Sequence, residues 1–116
     1  MFLEKEIYIA TLNESIKYII GKNSQNNFDI IDHSNENDIW FHLKDYPSTH
    51  VVVKINKNYN KKELKYILKQ GSILCKQNSK YKSMKNISIV YTKIKNVQKT
   101  SILGTVEISN EKIINI

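Results

Sequence analysis

Asp38-Ile39-Trp40-Phe41-His42-Leu43-Lys44-Asp45-Tyr46-Pro47-Ser48-Thr49-His50-Val51-Val52-Val53-Lys54 holds the chain's only tryptophan, its only proline and two of its three histidines within seventeen residues. Asp38 to Leu43 and Thr49 to Ile55 read as β-strands rich in β-branched and aromatic residues. Pro47 cannot donate to a ladder and belongs in the turn between them or at an edge. In a strand Trp40 and Phe41 point to opposite faces, so at most one of them is core if the other face of the sheet is solvated. His42 and His50 lie on sequential strands across a short turn and can approach each other. Such a concentration of rare, chemically capable side chains predicts a recognition site built on a small sheet.

Outward from this stretch, the N-terminal side supplies Glu6 to Ala10 and Ser15 to Ile20, two β-rich runs separated by Thr11-Leu12-Asn13-Glu14 and read as a hairpin. Gly21 ends the second run, and Gly21-Lys22-Asn23-Ser24-Gln25-Asn26-Asn27 has the composition of a polar loop. Residues 27–34 fit a short helix or an irregular packed segment equally well. The C-terminal side opens with the clearest element, a helix over about Lys61 to Ser79. Asn60 is a good N-cap, and Glu63 three residues on completes a capping box. Leu64, Ile67, Leu68, Gly71, Leu74, Cys75 and Asn78 recur at helical spacing and predict the buried stripe. Gly71 costs about 1 kcal/mol of helix propensity, which predicts a close neighbour at that point. Lys62, Lys65, Lys69, Lys76 and Lys80 form a basic ridge on another face. Ile87, Ile89 and Tyr91 alternate with Ser88, Val90 and Thr92 in a further strand, and Ile102 to Ile108 and Lys112 to Ile116 close the chain. The expected fold is α+β, one domain over 1–116, with an antiparallel or mixed sheet carrying one principal helix.

With 116 residues there is room for one core, and 41% apolar residues with a mean hydropathy of −0.45 fit a globular chain. No apolar run reaches the roughly 20 residues needed to span a bilayer, and Met1-Phe2-Leu3-Glu4-Lys5-Glu6 lacks the basic and apolar regions of a signal peptide. The expected location is the cytosol, or the nucleus by diffusion, with no membrane partner. Cys75, the single cysteine, reads as a buried structural thiol.

All eighteen basic residues are lysines. Fourteen asparagines and nineteen isoleucines beside them suggest AT-rich coding, which inflates lysine everywhere without explaining its distribution. Residues 1–45 carry four lysines against eight acids, whereas residues 46–106 carry thirteen lysines against Glu63 alone. A folded block of that charge attracts polyanions such as nucleic acid phosphates. Lysine makes point-charge contacts but lacks the arginine fork that reads guanine, so sequence-specific major-groove reading is not expected. Trp40, Phe41 and Tyr46 are candidate stacking surfaces for unpaired bases, against core packing as the plainer alternative.

Two histidines alone make a poor metal site, and Asp38 or Asp45 would have to supply further ligands. Acid–base work by His42 with Asp38 or Asp45 is physically open, but no phosphate-binding loop, nucleophile elbow or carboxylate pair accompanies it. Gly21-Lys22-Asn23-Ser24 lacks the spacing of a Walker loop. No enzyme activity, metal or cofactor is expected. The rival readings are a DNA-binding protein, a protein-binding adaptor using the acidic N-terminal half and an exposed aromatic patch, and a small hydrolase built on His42 or His50.

Gly21-Lys22-Asn23 with Asn26-Asn27, Asp38-Ile39-Trp40-Phe41-His42, Pro47-Ser48-Thr49-His50-Val51, the Gly71-Ser72-Cys75-Ser79 helix face, Val90-Tyr91, Val97-Gln98-Lys99 and Gly104 together resemble the NFACT-R domain. That domain is the RNA-binding module of ribosome quality-control factors and of small standalone eukaryotic proteins. The likeness spans essentially the whole chain, with Ser48-Thr49 standing where Gly-Ser is usual and Asn27 where an acidic residue is common. It implies binding of structured RNA in a tRNA or ribosomal RNA setting, with ribosome or quality-control proteins as further partners, and some standalone members bind DNA. The chain lacks the other segments of the full-length factors and is not expected to perform their elongation of stalled nascent chains. Taken with the charge pattern, it nominates Lys22, Asn23, Trp40, His42, Lys44, His50, Lys62, Lys65, Lys69, Lys76, Lys80, Lys95 and Lys99 as nucleic-acid contacts, joined in the phosphate grip by Lys82, Lys85 and Lys93. Recognition by shape and unpaired bases suits a lysine-only surface.

Overall fold

Valine, isoleucine and aromatic runs separated by asparagine-rich turns fold, in the computed structural model, into six antiparallel strands with a helix on each face; residues 2–116 are described. In chain order the elements are β1 (Leu3–Ile9), β2 (Glu14–Ile20), α1 (Ser24–Asp32), β3 (Ile39–Leu43), β4 (Val51–Val53), α2 (Lys61–Gln77), β5 (Ser88–Lys93), β6 (Val97–Lys99), β7 (Val106–Ile108) and β8 (Lys112–Asn115). The main sheet runs β1-β2-β4-β3-β5-β8, and β6 pairs with β7 in a separate two-stranded ribbon. The β1–β2 hairpin turns at Asn13, whose φ of 51° suits asparagine and whose side chain accepts a hydrogen bond from Tyr8.

β3 is central, paired to β4 on one side and β5 on the other, with Trp40 opposite Val52 and Thr92. Its odd residues Ile39, Phe41 and Leu43 join Tyr18, Val51, Val53, Ile67, Leu74 and Ile89 in one core beneath α2. Its even residue Trp40 joins Ile19, Ile30, Val52, Val90 and Val97 in a second core beneath α1 and the β6–β7 ribbon. Both Trp40 and Phe41 are therefore buried. A sheet with one solvated face permits only one of them inside, and the second covering layer removes that restriction.

That layer is what the sequence left undecided. Asn23, read as part of a loop, is the N-cap of α1, its side chain accepting the Asn26 backbone N–H at 2.8 Å. The helix absorbs half of the expected polar loop because Asn26 and Asn27, polar in type, turn inward. α2 carries the expected capping box between Asn60 and Glu63. A Cβ built on Gly71 would come within 2.4 Å of the Phe41 ring, which is the close neighbour its position implied. Asn78, placed by spacing in the buried stripe, is instead the exposed C-cap and donates to the Leu74 carbonyl. The strands after Pro47 and before Ile108 are shorter than read: only Val51–Val53 and Val106–Ile108 are paired, and Ile102 is exposed in the turn. Among the described residues no helix is long and apolar enough to cross a membrane.

Candidate nucleic-acid interface

Three connections meet at one end of the sheet: Gly21–Asn23 into α1, Lys44–Thr49 between β3 and β4, and Asn78–Tyr81 after α2. The first two are tied by backbone and side-chain bonds, and the third lines a cleft with them. The Gly21 N–H donates to the His50 carbonyl at 2.9 Å, the Thr49 hydroxyl donates to the Gly21 carbonyl, and the His50 N–H donates to Asn27 Oδ1 at 3.2 Å. Asn27 thus supplies a neutral acceptor at the place where an acidic residue is usual in the resembling family. A Cβ on Gly21 would fall 2.1 Å from that same Asn27 oxygen, so only glycine leaves room for the tie.

Two clefts open here and share Ser24, Asn27, Pro47 and Ser48 in their walls. The first, of about 450 Å³, has Trp40, His42, Lys44 and His50 on the sheet side and Leu103 and Gly104 from the tip of the β6–β7 ribbon opposite. The second, of about 710 Å³, is walled by Lys22, Asn23, Ser79, Lys80 and Tyr81. Gly104 closes the first cleft: at φ 81° it presses its backbone against Ser24, where a Cβ would approach to 2.8 Å.

The strand period brings Trp40 and His42 to one face, where the rings stack with centroids 5.7 Å apart and planes 7° from parallel. His50 meets both rings edge-on, 5.2 Å from each. Burial pushes the His50 imidazole down to about 3, with the neighbouring His42 adding to the effect. Burial also lowers His42, against the opposing pull of its bond to the Leu43 carbonyl at 2.5 Å. Both rings are neutral at physiological pH. The carbonyl accepts, so His42 carries its proton on Nδ1 and presents Nε2 as an acceptor. Trp40 Nε1 and His50 Nδ1 are buried with no hydrogen-bond partner among the described residues.

The remaining nominated residues fall on other surfaces. Lys62, Lys65 and Lys69 lie exposed along α2, on the side of the sheet opposite Trp40. Lys76 reaches the Ile116 carbonyl at 3.4 Å. Lys99 pairs with Asp32 at 2.6 Å and rests over the Phe28 ring, and Lys95 is exposed beside β6. Asp38, weighed as a partner for His42, is fully buried and accepts from the Asn35 and Ile55 backbone and from Lys54 Nζ at 3.0 Å. Its carboxylate is committed to holding the strand ends. Asp45 lies exposed in the β3–β4 connection.

Tyr81 is a residue that sequence reasoning passed over. Its ring lies 4.4 Å from that of Tyr46, and the pair sits partly exposed beside the Lys80 cleft. Thirty-five residues separate the two, and only the common loop end of the sheet brings them together.

A sheet end with a neutral histidine–tryptophan cleft, a lysine rim and an exposed aromatic pair defines a small α+β recognition domain. The chain belongs to the NFACT RNA-binding domain family: the model described as "NFACT protein RNA binding domain" matches residues 6–110. It is 33% identical over 95 residues to coiled-coil domain-containing protein 25 of Bos taurus and to the protein of the same name from Mus musculus, matching 79% of this chain. The chain spans about half the length of these curated relatives, 46% of each. A solved structure of the C-terminal part of the fibronectin/fibrinogen-binding protein from Streptococcus suis shares the fold, with a TM-score of 0.75 and 23% identity over 87% of this chain and 40% of that one.

Proposed function

We propose that this chain binds RNA at the loop end of the sheet, in a tRNA or ribosomal RNA setting. The observation that carries the reading is the convergence of Lys22, Lys44 and Lys80 on two adjoining clefts flanked by the Tyr46–Tyr81 pair. The three ammonium groups take phosphates, assisted by the positive end of α1. An unpaired base stacks on the exposed tyrosines, a contact worth about 1–3 kcal/mol per base. The histidine cleft then offers a polar slot. His42 is half-buried, and its Nε2 offers a base edge an acceptor there. Trp40 acts here by holding the His42 ring stacked on it, since its own faces and edge are covered by packing. The α2 ridge of Lys62, Lys65, Lys69 and Lys76 and the ribbon lysines Lys95 and Lys99 contribute long-range attraction.

Fluorescence anisotropy with tRNA, single-stranded RNA and duplex DNA of matched length, at two salt concentrations, tests this. The Lys22/Lys44/Lys80→Glu variant is expected to lose about tenfold or more in RNA affinity, and Lys65/Lys69/Lys76→Glu distinctly less. Equal losses in the two would replace the cleft with diffuse attraction. A preference for duplex DNA over both RNAs would overturn the RNA assignment.

A further inference from the structure

On the far side of the sheet from the histidine cleft, α2 lies over β2, β3, β4 and β5 and covers β8 only in part. Between the first turns of α2 and the β5–β8 end runs a groove of about 460 Å³. Its floor is apolar: Ile39, Leu64, Leu68, Tyr91 and Ile114. The half-buried ring of Tyr91 leans on Phe41, 6.1 Å away. Lys61, Lys65, Lys93 and Lys112 stand around the rim. All four are exposed, no carboxylate lines the groove, and among the described residues none of them forms an ion pair.

We infer that this groove docks an acidic amphipathic helix of a protein partner, laid beside α2 to complete the helical layer over β5 and β8. Charge selects the occupant. An apolar stripe flanked by glutamate or aspartate would satisfy floor and rim together, as helix-in-groove recognition requires. A second copy of this chain would bring lysine rim against lysine rim and be repelled. RNA would find the phosphate contacts but leave the aliphatic floor of Ile39, Leu64, Leu68 and Ile114 without an apolar partner. The site is separate from the RNA cleft, so one domain can hold both partners at once.

The probe is a fluorescein-labelled peptide with leucines at i, i+3, i+4 and i+7 and glutamates flanking them, titrated with the full chain. It is compared with peptides in which leucine becomes serine or glutamate becomes lysine. Saturable binding is expected for the first alone. Lys61/Lys112→Glu, at exposed positions outside the lysines assigned to RNA, is expected to weaken it by about fivefold or more while leaving single-stranded RNA affinity within about threefold. Lys22/Lys44/Lys80→Glu is expected to do the reverse. No saturable binding of the acidic peptide, binding indifferent to its leucines, or binding unchanged in the groove variant would overturn the proposal. Loss of RNA affinity in the groove variant with peptide binding intact would also overturn it, and would reassign the rim to RNA. Failure of the cleft variant to lose RNA affinity would instead strike at the RNA reading and leave the peptide result standing.

Discussion

His50 is a polar residue spent on an interior. Its imidazole is folded away neutral, whereas in the unfolded chain it has an ordinary value near about 6.5. Between about pH 6.5 and the folded value of about 3 the unfolded chain takes up a proton that the folded chain refuses, so stability falls as pH drops through that window and is unaffected above it. At pH 4.5 the loss from His50 is about 2–3 kcal/mol. Urea denaturation at pH 7.5 and 4.5 should show the acid loss shrinking by roughly this amount in His50→Gln; an unchanged acid loss would remove His50 as the cause. Asp38 is the converse case, a buried carboxylate whose acceptors are taken by two backbone donors and Lys54. Asp38→Ala strands all three, and a cost of about 3–5 kcal/mol is expected by the same measurement at pH 7.5. Gly71→Ala improves helix propensity by about 1 kcal/mol yet drives a methyl into the Phe41 ring, so a net loss of about 1–2 kcal/mol is expected. A stabilised Gly71→Ala would mean that the ring moves aside at little cost.

At the scale of elements, the β6–β7 ribbon is the outer wall of the candidate site. It reaches α1 through Gly104 against Ser24 and through the Lys99–Asp32 ion pair, whose two partners are substantially exposed. An exposed pair of this kind is worth about 0–1 kcal/mol, so the backbone approach at Gly104 docks the tip, while Val97, Val106 and Ile108 hold the base of the ribbon in the second core. Gly104→Ala combines a left-handed φ with a clash and should release the ribbon tip without melting the sheet. Hydrogen exchange is then expected to rise over residues 100–106 while β3 and β5 stay protected, and RNA affinity is expected to fall about three- to tenfold as the cleft loses a wall. Faster exchange across β3 as well would show that the ribbon supports the whole second core. α2, by contrast, is anchored along its length by Ile67, Leu74 and Cys75, all buried, and behaves as a fixed strut.

For the whole molecule, the formal charge of +7 and the absence of arginine set how it meets a polyanion. Each phosphate neutralised by lysine releases counterions, with a log–log salt slope of about −0.7 per contact on single strands. Removing Lys22, Lys44 and Lys80 should therefore shallow the slope by about 2. Single-stranded RNAs of equal length and different sequence should bind within about fivefold of one another, since lysine contacts position the strand without reading it. A preference well beyond that would mean the histidine cleft discriminates among base edges.

The parts of this structure that were legible in the sequence are those governed by neighbours in the chain. The α2 capping box, the β1–β2 hairpin, the opposed side chains of Trp40 and Phe41 and the meeting of His42 with His50 follow from periods of 2 and 3.6 and from a short turn. The Asp-Ile-Trp-Phe-His and His-Val signatures carried the family. The burial of both aromatics, the second core, the conversion of Asn23–Asn27 from loop to capped helix and the Tyr46–Tyr81 pair were not legible, because each depends on what arrives from elsewhere. By itself the sequence determined the α+β class, the principal helix and the lysine character of the surface. Tertiary structure alone decided which lysines stand together. Lys22, Lys44 and Lys80, far apart in the chain, share the loop end of one sheet, whereas Lys62, Lys65 and Lys69, read with Lys80 as one ridge, lie across that sheet, since strand pairing sets the distance between residues regardless of their separation along the chain.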